Sequence, residues 1–226
     1  MQEDYVNNPY EHPNESNNED AIDRLLKSPK QWANIIIVAL NVVVFILVEI
    51  TGSSLDSKHM IKWGASFPGL IQQGEFYRLF TCMFLHFGLS HLINNMFLLV
   101  FIGDYLERIL GKVKYLIIYL VGGLGADTIS YLHSVKNGEN VAAAGASGAI
   151  FAAIGALIYI LIRNKGQLEG LSLRRVFIMA GLSLYVGFTS SGVDNYAHVG
   201  GLVCGVLIGI LVYRKKTGSR TMKAVP

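Results

Sequence analysis

The sequence predicts an all-α membrane protein: six transmembrane helices, with a long, partly membrane-embedded loop between helices 1 and 2. Three observations carry this reading. The 226-residue chain is 52% hydrophobic and only 15% charged, too apolar and too sparsely charged for an ordinary soluble domain. Six segments, about residues 32–50, 89–106, 113–132, 146–162, 174–190 and 194–213, are long and apolar enough to cross a hydrocarbon core of about 30 Å. Lipid offers backbone amides no partners, so such segments must be helical.

The third observation is where the charges fall. Arg24, Lys27 and Lys30 precede span one; Arg108, Lys112 and Lys114 separate spans two and three; Arg163, Lys165, Arg174 and Arg175 separate four and five; Arg214, Lys215, Lys216, Arg220 and Lys223 follow span six. Only Lys58, Lys62, Arg78 and Lys136 of the 19 Lys and Arg lie on the other side. By the positive-inside rule both termini are cytoplasmic, in a multi-pass protein of the cell membrane.

Residues 1–31 open with six acidic side chains (Glu3, Asp4, Glu11, Glu15, Glu19, Asp20) and no Lys or Arg before Arg24, and read as a disordered acidic cytoplasmic tail. The leader lacks the basic start and short apolar run of a secretory signal, so span one is expected to act as an uncleaved anchor. Residues 32–213 form the six-helix core, and 214–226 a basic cytoplasmic tail. The loop after span one carries Trp63, Phe67, Pro68, Phe76 and Tyr77, which places part of it in the membrane interface. Cys82 and Cys204 lie far apart and read as free thiols packed as small hydrophobes. The net charge of +3 and the lack of a basic-aromatic platform give no support to nucleic-acid binding.

Polar residues inside the spans carry the functional reading. With the N-terminus inside, spans four and six both enter from the outer face. Ser147 lies in the first turn of span four and His198 about one turn into span six, at the shallow, matching depth that a nucleophile and its general base need. Gly201, Gly205 and Gly209 continue the His198 face at helical spacing. Gly148, Ala152, Gly155 and Ala156 offer a matching small face on span four, so the two helices are expected to touch along their length. Gly, Ala and Ser recur wherever membrane helices pack closely, and a buried histidine can be satisfied by a carbonyl; ionisable groups in a membrane are nevertheless functional candidates. His91 and Asn95, four apart on span two, could donate to a developing oxyanion together with the Ser147 amide, or could form a polar lock between helices. His86 is expected to tie the loop to the helix. Asp194 reads first as the N-cap of span six, Glu107 and Arg108 as an ion pair, Arg78 as a brace for the long loop through carbonyls or an acidic partner, and Asn41 and Asp127 as packing contacts.

Taken together, Tyr77-Arg78, His86-x4-His91-x3-Asn95, Glu107-Arg108, Gly145-Ala146-Ser147-Gly148 and Ala197-His198-Val199-Gly200-Gly201-x3-Gly205 resemble the rhomboid family of intramembrane serine proteases, over about residues 32–213. The resemblance implies a Ser147–His198 dyad with no required acid and an oxyanion hole lined by His91 and Asn95. It also implies a half-submerged loop after span one and a lateral gate between spans five and two. Gly145 and Gly201 fall in its motifs. Phe151 stands where the best-known members carry a tyrosine that stacks on the histidine, which keeps the stacking face and loses the hydroxyl. The implied partners are single-span or multi-span membrane-protein substrates and the lipid bilayer, with no cofactor and no metal. The alternative is a catalytically inactive rhomboid-like protein that binds transmembrane helices. A small transporter would need polar residues at matching places in two halves, and a zinc protease a His-Glu-x-x-His helix; neither pattern is present.

Overall fold

A computed structural model describes residues 30–168, 170–189 and 193–215, apart from the side chains of 186–189. The expected tails at 1–31 and 214–226, with Arg24, Lys27, Lys216, Arg220 and Lys223, therefore lie largely outside the described residues. The described chain is helical. Helix α1 is Trp32–Thr51, α5 is Leu89–Leu110, α6 is Lys112–Lys136, α7 is Ser147–Arg163, α8 is Leu173–Thr189 and α9 is Asn195–Val212. The connection between α1 and α5 holds three short helices, α2 (Ser57–Lys62), α3 (Pro68–Gln72) and α4 (Arg78–Thr81), and a 3-10 turn at Cys82–Phe84.

A helix therefore stands at each of the six expected places. Four of them, α1, α5, α6 and α9, are long and apolar enough to cross a membrane. Helix α7 is apolar but has only 17 residues, about 25 Å at 1.5 Å per residue, and α8 is equally short. Every residue of α7 from Gly148 to Leu157 is buried, as expected of a helix that is apolar all round, and α5, α6, α8 and α9 all pack on it. It is the centre of the bundle.

The α7–α9 contact is the most extensive in the fold, and glycine makes it possible. A Cβ at Gly205 would fall on the carbonyl of Ala152, one at Gly201 on the carbonyl of Gly148, and one at Gly155 on the carbonyl of Leu202. At Gly209 a Cβ would stand 3.2 Å from Ala156 Cα. The expected stripe thus meets its expected partners, backbone against backbone.

Glu107 differs from the expectation of a Glu107–Arg108 ion pair. Its carboxylate accepts the amides of Ala33 (3.2 Å) and Asn34 (2.8 Å), the unpaired donors at the start of α1, while Arg108 pairs with Asp104 at 2.6 Å on its own helix. A buried helix end demands an acceptor more strongly than an exposed cation demands a partner. Asn34, which the sequence did not single out, donates to the Leu99 carbonyl (3.1 Å) and accepts from Tyr115 Oη (2.7 Å), joining α1, α5 and α6. A two-stranded hairpin, β1 (Gln167–Leu168) with β2 (Leu171–Ser172), joins α7 to α8 and was also unanticipated. The Tyr105 hydroxyl donates to the Leu168 carbonyl.

Arg78 braces the long loop by both expected means. It is 5% exposed, donates to the carbonyls of Ile61 (2.6 Å) and Ala65 (3.1 Å), and pairs with Glu75 at 2.6 Å. Hydrogen bonds from Tyr77 and then Arg78 hold the Glu75 carboxyl below its ordinary range. The loop is also stitched to the segment leading into α7: Ser66 and Ala143 exchange two backbone hydrogen bonds at 2.9 Å, and Gly145 N donates to Cys82 O at 3.0 Å.

Gly205→Ala is expected to destabilise the protein by about 2 kcal/mol, because the new methyl must force the α7 and α9 backbones away from each other in a packed interior. Gly209→Ala should cost less, and Leu207→Val, at a lipid-facing side chain 56% exposed, should stay within about 0.5 kcal/mol. Thermal unfolding in detergent ranks the three.

Candidate functional site

The site is built around the entry to α7. Gly145 has φ +151°, a conformation that side chains avoid. A Cβ there would sit 2.8 Å from His91 Cε1, 3.0 Å from its Nε2 and 3.7 Å from Ser147 Oγ. The His91 imidazole and the Ser147 hydroxyl thus approach each other over bare backbone. Ala146 follows, donating its amide to His86 Nε2 at 3.4 Å, and Ser147 is the first residue of α7. Its own amide is among the helix N-terminal donors that lack an intrahelical partner.

Helix α5 supplies the facing wall. It starts after Gly88 (φ +79°), which turns the chain out of the loop, and carries His91 in its first turn with Asn95 one turn deeper on the same face. Asn95 is 4% exposed, and its Nδ2 has no partner among the described residues. The rings of His86 and His91 meet edge to face at 5.2 Å. Burial, and then the neighbouring His91, push the His86 imidazole well below its ordinary value, so it is neutral. Because its Nε2 accepts from Ala146, its Nδ1 carries the proton, and that buried N–H has no partner among the described residues. The expected tie therefore reaches the start of α7, not only α5.

Helix α9 brings His198. Asp194 caps the helix, accepting from Ala197 N at 2.9 Å, and also accepts from the Ser130 hydroxyl of α6. One turn on, His198 is 6% exposed and stacks on Phe151 of α7, with ring centroids 4.3 Å apart and planes at 16°. Gly201 lies against the Gly148 carbonyl, and the Ala197 methyl is 3.8 Å from the place a Gly148 Cβ would take. The first turns of α7 and α9 are therefore adjacent. No hydrogen bond joins Ser147 to His198 among the described residues, and His198 Nδ1 has no partner.

Three side chains thus present buried nitrogens with no partner among the described residues: His86 Nδ1 in the loop that bonds the start of α7, Asn95 Nδ2 on α5 and His198 Nδ1 on α9. Such orphan groups are costly unless water or a bound molecule satisfies them. A hydroxyl, an imidazole and several donors form the set that acyl transfer uses. Two contributors were not singled out by sequence for this place. The Cys82 carbonyl fixes Gly145, while its thiol donates to Asp127 at 3.4 Å, and Ser130 holds Asp194. Both are long-range contacts of residues that look inert in sequence.

Residues 73–215 match the family described as the rhomboid domain. Among known proteins, the chain is 34% identical over 182 residues to rhomboid protease GluP of Bacillus subtilis, covering 80% of this chain and 35% of that protein. It is 34% identical over 197 residues to rhomboid protease AarA of Providencia stuartii, covering 77% and 70%. It is 38% identical over 168 residues to RHOMBOID-like protein 5 of Arabidopsis thaliana, covering 73% and 53%. The chain thus spans about a third of the length of the first of these and about half of the last.

Gly145→Ala should lower the thermal midpoint in detergent, because it strains a positive φ and drives a methyl into the His91 ring. Ser147→Ala removes a hydroxyl that makes no hydrogen bond to the described residues and should leave the midpoint nearly unchanged.

Proposed function

We propose, on the premise that the chain belongs to the rhomboid family, that it is an intramembrane serine endopeptidase acting on transmembrane segments of membrane proteins near the outer face. The observation that carries this reading is the stacking of Phe151 on His198 within α7–α9 backbone contact, one turn from Ser147. In this reading the His198 imidazole takes the Ser147 proton as the hydroxyl oxygen attacks a peptide carbonyl. The resulting oxyanion is held by the Ser147 amide, His91 and Asn95 Nδ2. The imidazolium then gives its proton to the leaving amine as the C–N bond breaks. Water attacks the acyl-serine, losing a proton to the imidazole, and the acid product departs as the proton returns to Ser147. Gly145 and Gly201 keep the two approaches clear, and Phe151 and His86 hold ring and backbone in place.

The same proposal sets six spans in the cell membrane with both termini cytoplasmic, supported by the distribution of Lys and Arg. It makes 1–31 and 214–226 cytoplasmic tails flanking a 32–213 core. The short α7 supports a site recessed below the outer surface, where a water-filled opening is needed for hydrolysis. A substrate helix has satisfied its own backbone, so its cleaved segment must unwind first, which favours Gly, Ala or Pro near the outer boundary. Entry would be from the side, between α5 and α8.

Ser147→Ala and His198→Ala should each abolish cleavage of a single-span reporter in proteoliposomes while leaving the protein inserted. Asn95→Ala should raise the barrier by about 3 kcal/mol or less, as for one oxyanion donor among several. Undiminished cleavage by purified Ser147→Ala would exclude the mechanism.

A further inference from the structure

Resting on that reading, we propose that Asp194 and Ser130 form a positioning pair that sets where the His198 imidazole stands against Ser147. Asp194 directly precedes α9, and each of its acceptors is committed. One carboxylate oxygen takes the Ala197 amide at 2.9 Å, the other takes the Ser130 hydroxyl, and the backbone carbonyl takes the His198 amide at 3.2 Å. No bond from the carboxylate to the imidazole is made, so Asp194 acts on His198 through the helix turn it holds.

The need for such a pair follows from the way α9 is packed. Its glycine face lies on α7 backbone, which fixes the distance between the helices but offers few directional contacts against rotation or sliding. Helix α6 supplies them. Ser130 bonds Asp194, the His133 ring stacks on Tyr196 with centroids 3.3 Å apart, and a Gly200 Cβ would lie 3.1 Å from Ile129. The neighbouring turn of α6 reaches α7, where a Gly148 Cβ would meet the Ala126 methyl at 2.9 Å. One helix therefore references the first turns of both α7 and α9, and the Ser130–Asp194 bond is its directional link to the histidine side.

The test compares purified full-length wild type, Ser130→Ala, Ser130→Thr, Asp194→Ala and the double variant Ser130→Ala/Asp194→Ala, measuring kcat and KM for a single-span reporter together with thermal unfolding. Ser130→Ala is expected to lower kcat about tenfold with KM and the thermal midpoint unchanged, since displacements of about 1 Å at a reacting group can cost on the order of a hundredfold. Threonine at 130 should restore turnover, and the double variant should be no slower than Asp194→Ala alone. Wild-type kcat in Ser130→Ala, additive losses in the double variant, or a fall in kcat that tracks the thermal midpoint and resists rescue by threonine would each overturn the pair. If Ser147→Ala also cleaves the reporter, or wild type does not, the hydrolase reading fails and this inference with it. If Ser147→Ala is inert and Ser130→Ala fully active, the pair alone fails.

Discussion

Backbone-to-backbone contact between α7 and α9 is the constraint from which the rest of the described bundle follows. At Gly201, Gly205 and Gly155 there is no room for a single methyl, because the space is taken by a carbonyl of the facing helix. In lipid there is no hydrophobic drive to press two apolar helices together, so close packing of small residues must do it. That closeness makes α7 central and sets Phe151 flat against His198. It also places the first turns of the two helices side by side. The remaining described helices pack on this pair, α5, α6 and α8 on α7, and α6 and α8 also on α9.

A second constraint is the satisfaction of polar groups in a medium that offers no water. Away from the site the polar groups are matched: Glu107 accepts the amides that open α1, Asn34 engages Leu99 and Tyr115 through its side-chain amide, and Arg78 is used on two carbonyls and a carboxylate. On the proposed site residues they are not, among the described residues. His86, Asn95 and His198 each keep a buried nitrogen unpaired. Asn41 of α1 and Tyr119 of α6 have each other as polar neighbours. The contrast between finished locks and unfinished donors separates bracing from the candidate chemistry.

Much of this was legible in sequence where the signal is local or periodic. The glycine stripe on α9 follows from spacing, as do its partners on α7, the Asp194 cap and the pairing of His91 with Asn95 on one face. The long loop braced by Arg78 was legible because a lone arginine among apolar residues must find carbonyls. What could not be read depends on which distant segments meet. Glu107 looked like the partner of its neighbour Arg108, yet the amides it serves lie 74 and 73 residues away. Ser130 and Cys82 gave no hint of their roles, since a serine late in an apolar helix and a cysteine in a loop are ordinary until α9 and Gly145 are set against them. The hairpin between α7 and α8 was hidden in what reads as a polar connection.

The central claim is that Ser147, activated by His198, is the nucleophile. The most direct measurement is to react the solubilised full-length protein with a fluorophosphonate and map the adduct by peptide mass spectrometry. The account predicts one adduct, on Ser147, absent when the protein is unfolded beforehand and strongly slowed in His198→Ala. An adduct on another residue, or equal labelling of Ser147 with and without the imidazole, would contradict it.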